Sequence, residues 1–449
     1  MGFLETVAIL TATWLIATLT YGLYNLTLHP LRRYPGPPLY AAYRLSYVIA
    51  NIRGKLPFEV LDMHRKYGPV VRIAPNELAF TEPAAWNDIY GPGTATDAAH
   101  ARLRRIYRQA FTPKAIEGPG GMLLKYADLL VEQLKVSAGR EPVQDMSAWF
   151  NYAMFDLTGD FSFGETFHCL DSGGKSHFSL DTVLERYKLL TILSPLLALF
   201  AGDELKKAEM MGRYTKELNK KKEDQLNNPE LYENALTLVV AGSETTGTLL
   251  SGVVYFLCKH PDVLEKVQEE VRAAFKRDEE ITPTSVNGLE YMVAVLSETM
   301  RVFPPAGFGF PRIISSKGGQ SVAGGWVPEQ TRCSIFHHAA YRYEDNFARP
   351  EDFIPERWLV GAPAEFKDDK KEVLQPFMVG PRGCIGKGLA YVEMRLFLAK
   401  MLWHFDFELA DPTQQWHERL RAYLASTAIK CERLQQRQCE QSNPAVCTL

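Results

Sequence analysis

The stretch Phe377-Met-Val-Gly-Pro-Arg-Gly-Cys-Ile-Gly386 constrains this chain more than any other. Gly380, Gly383 and Gly386 surround Cys384 and remove side chains where a large planar ligand would approach the backbone. Phe377 can cover one side of the sulfur, and Arg382 supplies a cation close by. A helix beginning just after Cys384 would turn its first backbone N–H groups toward a sulfur anion. A lone cysteine is ordinarily an inert buried thiol, but the pattern Phe-x-x-Gly-x-Arg-x-Cys-x-Gly describes a loop that presents a thiolate. A phosphate-binding loop is excluded, because the glycine spacing is wrong and Gly388 stands where serine or threonine is needed.

The other cysteines, at 169, 258, 333, 431, 439 and 447, form no Cys-x-x-Cys pair, and the total of 7 is odd. Neither a disulfide framework nor a zinc site follows, and a reducing, cytosol-facing environment fits best. A net charge of −3 over 449 residues argues against nucleic acid as a partner.

Residues 6–28 carry no charge, which reaches the roughly 20 residues needed to span a bilayer. Arg32 and Arg33 follow and Glu5 precedes, so the body should face the cytosol. A cleaved signal peptide fits less well, since no basic residue precedes the run and no small-x-small site is clear. The expected organisation is a transmembrane signal anchor over 1–29, a stiff proline-rich hinge over 30–40 around Pro35-Gly36-Pro37-Pro38, a catalytic domain over 41–430 and a tail over 431–449.

Within the body, 56–67 reads as a helix and Val70–Phe80 as a hairpin turning at Pro75-Asn76. His100–Arg108 reads as a basic helix whose arginines, Arg102, Arg105 and Arg108 among them, could meet an acidic protein. Residues 120–226 read as mostly helical. Asn234–Lys259 is a long apolar helix interrupted by Ala241-Gly-Ser-Glu-Thr-Thr246. Glycine and adjacent threonines weaken a helix interior, and Glu244 in an apolar helix is costly without work or a partner. Such rule-breaking is where function is expected, although a Ser243 cap starting a new helix is an alternative. Glu298 and Arg301 share a helix face with Tyr291, Ala294, Val295 and Val302, which predicts a buried pair. Leu389–Trp403 reads as an apolar helix and Asp406–Ala410 as the start of a strand.

Together these stretches resemble the cytochromes P-450. The resemblance covers residues 30–410, and its finer texture (Ala241-Gly-Ser-Glu-Thr-Thr246, Pro355-Glu-Arg-Trp-Leu359, Gln375–Lys387) is similar to fungal microsomal members of secondary metabolism, in the group around isotrichodermin C-15 hydroxylase. It implies a mainly helical triangular prism with small β-sheets, holding haem b. Cys384 would be the axial ligand, a thiolate that favours O–O cleavage, with Phe377 and Gly386 beside it. His100, Arg104, Arg312 and Arg382 would hold propionates, with His100 standing where the family carries tryptophan. Thr245 would bend its helix by bonding to the Ala241 carbonyl and serve oxygen activation, with Glu244 delivering protons. Glu298, Arg301 and Arg357 would form the triad that locks the thiolate loop. The implied reaction uses O2 and NADPH to oxygenate a lipophilic small molecule. No flavin-domain signature is present, so electrons would come from a separate NADPH-cytochrome reductase, with cytochrome b5 as a second donor, at the endoplasmic reticulum membrane. Substrate contacts are expected from 92–99, 190–205, 236–246 and 305–311, with 165–215 capping the pocket.

Three stretches depart from the family pattern. The chain is short between Gly91 and His100 and between Lys222 and Asn234, and no closing hairpin is recognisable past Tyr423. An impaired membrane-anchored protein is therefore one competing reading; a haem-thiolate enzyme of non-oxygenating rearrangement is another, and NADPH-dependent oxygen uptake discriminates monooxygenation from rearrangement.

Overall fold

The uncharged N-terminal run forms one helix, α1 (Phe3–Thr27), in a computed structural model that describes residues 2–92, 98–112, 120–141, 143–173, 228–413, 422–423, 426–427 and 434–438. Among the described residues, α1 is the one helix long and apolar enough to cross a membrane. Its threonines satisfy their own hydroxyls: those of Thr11, Thr13, Thr18, Thr20 and Thr27 each donate to the carbonyl four residues back.

Two short helices, α2 (Pro38–Ala42) and α3 (Arg44–Ile52), lead to α4 (Leu56–Tyr67). Gly68, at φ +99°, ends α4 and starts the hairpin β1 (Val70–Ala74) and β2 (Glu77–Phe80). Helices α5 (Ala84–Tyr90), α6 (Ala98–Arg108) and α7 (Gly120–Ala138) precede β3 (Val143–Gln144) and α8 (Met146–Phe163). Asp145 caps α8 by accepting from the Ala148 N–H.

The central helix is α9 (Asn228–Lys259). It is continuous through Gly242-Ser243-Glu244, so Ser243 starts no new helix. Ser243, Thr245 and Ser251 each donate a hydroxyl to the carbonyl four residues back, at 2.7, 2.8 and 2.7 Å, which keeps polar residues satisfied inside an apolar helix. The α9 glycines let neighbours approach: a Cβ on Gly242 would lie 3.0 Å from the Thr158 side chain of α8, and one on Gly252 would lie 2.5 Å from the Phe303 ring. Helices α10 (Pro261–Ala274), α11 (Glu290–Val302), α12 (His337–Arg342) and α13 (Lys387–His404) complete the helical body. Its largest core gathers apolar faces of α7, α8, α9, α10, α11 and α13, including Leu130, Phe150, Leu250, Val267, Val295 and Leu398.

The sheets are small. One has the order β1-β2-β7-β4, where β4 is Arg312–Ile313 and β7 is Arg332–Ile335. Strand β7 runs parallel to β2 (Leu78 opposite Cys333) and antiparallel to β4 (Arg312 opposite Cys333). Strands β5 (Gln320–Val322) and β6 (Gly325–Val327) form a hairpin. After α13 come β8 (Phe405–Leu409), the pair β9 (Ala422–Tyr423) and β10 (Ser426–Thr427), and β11 (Leu434–Gln438). β11 lies between β8 and β3, with Leu434 opposite both Leu409 and Gln144. Within 431–449, expected as a tail, Leu434–Gln438 forms the middle strand of this sheet. Its partner β3 is too remote in sequence for any local pattern to announce the pairing.

Candidate active site

The loop before α13 is held on all sides. The Cys384 N–H donates to the Phe377 carbonyl at 2.8 Å, and the Gly383 N–H to the Gly380 carbonyl at 3.0 Å. Met378 and Gly380 adopt φ of +61° and +73°. A Cβ on Gly380 would sit 1.8 Å from the Tyr90 carbonyl oxygen, so only glycine lets the loop lie against the end of α5. Arg104 of α6 donates to the Gly383 carbonyl at 2.7 Å.

The Cys384 sulfur opens into an apolar cavity of about 350 Å³. Burial pushes its thiol pKa up; the Gly386 N–H, the Arg104 charge and the Lys387 N–H pull the other way. The two N–H groups at the start of α13 thus meet the sulfur as the sequence predicts. Phe377 lines the cavity and packs on Tyr391, ring centroids 4.9 Å apart.

Thr245 of α9 lines the same cavity, its hydroxyl donating to the Ala241 carbonyl at 2.8 Å. Glu244 is buried, but it is not part of the cavity wall. Arg312 and Arg382 both reach the wall, and Arg312 lies over the Tyr90 ring at 5.4 Å. Burial lowers the Arg312 pKa; Tyr90 pulls the other way and the nearby Arg382 charge adds to the lowering. His100 and Arg104 instead line a neighbouring cleft with Arg105, Arg108 and Pro381. Of the four side chains expected at propionates, Arg312 and Arg382 line the cavity and His100 and Arg104 line the adjoining cleft, where Arg104 also donates to the loop backbone. Pro305, Ala306 and Phe310 line the cavity, as do Leu238, Ala241 and Gly242. The expected contacts at 93–97 and 190–205 lie outside the described residues.

The triad is complete and fully buried. Glu298 binds Arg301 through both oxygens, at 2.8 and 2.9 Å, and accepts from Arg357 Nε at 3.1 Å. The remaining Arg301 donors go to the carbonyls of Tyr341, Pro350 and Asp352. The connection to the thiolate loop runs through Tyr341, whose hydroxyl accepts from the Gln375 N–H at 3.0 Å. Two further members escape sequence reading. Trp358 Nε1 donates to Glu298 at 2.8 Å, and Asp369 accepts from Arg357 at 2.6 Å.

Sequence reading also misses Glu393. It lines the cavity from α13 and accepts from the buried Thr246 hydroxyl of α9 at 3.2 Å. The signal was present, because Glu393 breaks an apolar helix as Glu244 does. Burial pushes its carboxyl up to about 7, against the pull of Thr246. A folded pKa above the ordinary 4.5 means that the native chain binds the proton more tightly. Stability from this group is full below about pH 4.5, falls as pH rises to about 7, and is level above, a loss on the order of 3 kcal/mol. Glu393→Gln is expected to remove that part of the pH slope in urea midpoints; an unchanged slope would count against the assignment.

The residues present fit a haem. A thiol faces an apolar slot, glycine keeps the backbone close, and two cations share its wall.

Comparison with known proteins agrees. Residues 203–430 match the family model for cytochrome P-450. The chain is 38% identical to cytochrome P-450 monooxygenase tpeC of Talaromyces stipitatus, over 88% of this chain and 87% of that one. It is 36% identical to trichothecene C-4 hydroxylase of Trichoderma arundinaceum (91% and 93% covered) and 37% identical to averantin hydroxylase of Dothistroma septosporum (89% and 84% covered). With Cys384, Thr245 and the Glu298–Arg301–Arg357 triad in place, the chain belongs to the cytochrome P-450 family as an oxidoreductase of the monooxygenase kind.

Proposed function

We propose that this protein oxygenates a lipophilic small molecule of fungal secondary metabolism, with electrons from NADPH through a separate reductase and with cytochrome b5 as an auxiliary donor. The observation that carries the reading is that the Cys384 sulfur and the Thr245 hydroxyl face one apolar cavity. Two of the relatives named above are by name hydroxylases, of a trichothecene and of averantin, and the apolar wall suits a lipophilic substrate. The body sits at the cytosolic face of the endoplasmic reticulum membrane, with α1 spanning it.

Cys384 would hold the haem iron, with Arg312 and Arg382 on its carboxylates; the haem would supply dioxygen activation. Thr245 Oγ1 keeps acceptor capacity beyond its bond to Ala241, so it can hold a water and relay a proton at the cavity wall. Leu238, Leu249, Phe161 and Phe310 exclude bulk water and orient an apolar substrate. Arg105 and Arg108, in the cleft beside the loop, offer positive charge to an acidic donor protein.

The test is reconstitution with a fungal reductase. NADPH-dependent oxygen uptake should yield oxygenated product, and Thr245→Val should keep uptake while cutting product roughly a hundredfold, with peroxide rising. Turnover without oxygen uptake would overturn the reading in favour of rearrangement.

A further inference from the structure

Helix α6 reaches both sides of the cavity with two arginines that stand two residues apart. Arg104 donates to the Gly383 carbonyl at 2.7 Å, on the loop that carries Cys384. Arg102, through Nη2, forms an ion pair with Glu230 in the first turn of α9, the helix that carries Thr245. Two residues along a helix rotate the side chain by about 200°, so the two arginines leave α6 on opposite sides. The helix is therefore a crosspiece. It joins the two elements between which a planar group held at Cys384 would lie, and its own side chains line the cleft at that edge.

Little apolar packing fastens this crosspiece. Among the described residues, Ile106 is the one buried side chain of α6, and it packs on Leu103 and Tyr107 of the same helix in a small cluster apart from the large core. An element with few buried apolar contacts opens at low cost, so its polar ties decide how firmly it is held. The helix also carries four arginines and no acidic residue, so an anion that steadies it must come from elsewhere. Glu230 is such an anion. The pair is partly shielded from solvent, with Arg102 and Glu230 side chains 29 and 25% exposed, which weakens screening by salt without abolishing it. Glu230 also stands near Tyr107, where burial and then this carboxylate push the phenol up to about 12.

The other end of α6 is seated differently. Phe111, just past the helix, lines the cavity and packs on Phe161 with ring centroids 5.7 Å apart. A Cβ on Gly386 would lie 3.7 Å from the Phe111 ring, so this end rests against the start of α13. Apolar contact holds the Phe111 end, and charge holds the Arg102 end.

We infer that α6 is a clasp across the haem slot and that the Arg102–Glu230 pair is its latch, which parts when haem enters or leaves while the Phe111 end stays seated. The inference rests on the haem reading of the cavity. Arg102 and Glu230 act as positioning residues, and neither lines the cavity.

The test follows haem transfer from the full-length holoprotein, in detergent, to excess apomyoglobin by Soret absorbance. Hydrogen exchange of the same samples reports on the helices. Raising sodium chloride tenfold should speed haem loss roughly threefold, as screening weakens the latch. Glu230→Gln should speed loss roughly fivefold at low salt and remove most of the salt response. Exchange within Leu103–Arg108 should quicken in that variant while exchange in α13 stays the same. The swap of Arg102→Glu with Glu230→Arg should bring loss back to within about twofold of wild type. Wild-type loss rates in Glu230→Gln would overturn the latch. Faster loss with unchanged exchange in α6 would place the effect in α9 and overturn the clasp, and a swap as leaky as the single variant would overturn the pairing. A wild-type protein that takes up no haem would overturn the haem reading along with the clasp.

Discussion

Replacing Glu298 with alanine is expected to leave too little folded protein to take up haem. The carboxylate is the only anion that Arg301 touches, and it also receives Arg357, the Ile354 N–H and the Trp358 indole among the described residues. Removing it leaves the Arg301 guanidinium without a carboxylate in a site with no water access, while Arg357 keeps Asp369. Breaking a buried pair this way costs about 3–5 kcal/mol, a large share of the roughly 5–15 kcal/mol that holds a domain together. Burial alone would raise the Glu298 pKa; Arg301 and Arg357 overcome it, so the net direction is downward. Its stability is thus present above the ordinary carboxylate range and is lost as pH falls through the lowered value. Glu298→Gln keeps the shape and loses the charge, and should fall between wild type and alanine. Haem per chain and the thermal midpoint in detergent measure both. An alanine variant with full haem content would show that Tyr341, Pro350, Asp352 and Asp369 hold the arginines unaided.

The second large effect is at the sulfur. Cys384→Ala should leave the fold close to wild type, within about 1 kcal/mol, because the loop is closed by backbone bonds and the Arg104–Gly383 contact. The strongly red-shifted Soret band of the reduced, carbon monoxide-bound protein should vanish, and product formation should fall to the level of reductase alone. A retained red-shifted band would require another thiolate. Cys169, Cys258 and Cys333 are the other described cysteines, and none of them lines the cavity. Measuring the spectrum beside the thermal midpoint separates lost ligation from lost structure.

Much of the site was legible because its parts are local. The glycines that let Cys384 be presented, the Thr245 hydroxyl that returns to Ala241, and the spacing of Glu298 and Arg301 are each settled within a few residues. Local geometry depends on backbone conformation and short spacing, which residue order states directly. The hairpin at Val70–Phe80 and the helices at 56–67 and 387–404 follow from the same rule.

Other features depend on which surfaces meet. Arg104 carries the same charge in any pattern, yet only the packing of α6 on the loop turns it to Gly383. Glu393 becomes a cavity residue because α13 crosses α9 at Thr246, and Asp369 joins the triad because the chain folds back on Arg357. β11 finds β8 and β3, and the anchor finds Tyr43 and Arg72, across separations that no periodicity encodes. Residue order by itself determined the local form of the loop around Cys384 and the hydroxyl-to-carbonyl bonds within α9. The tertiary structure alone decided which buried polar groups were paired, because a desolvated donor or acceptor must take whatever partner packing brings within about 3 Å.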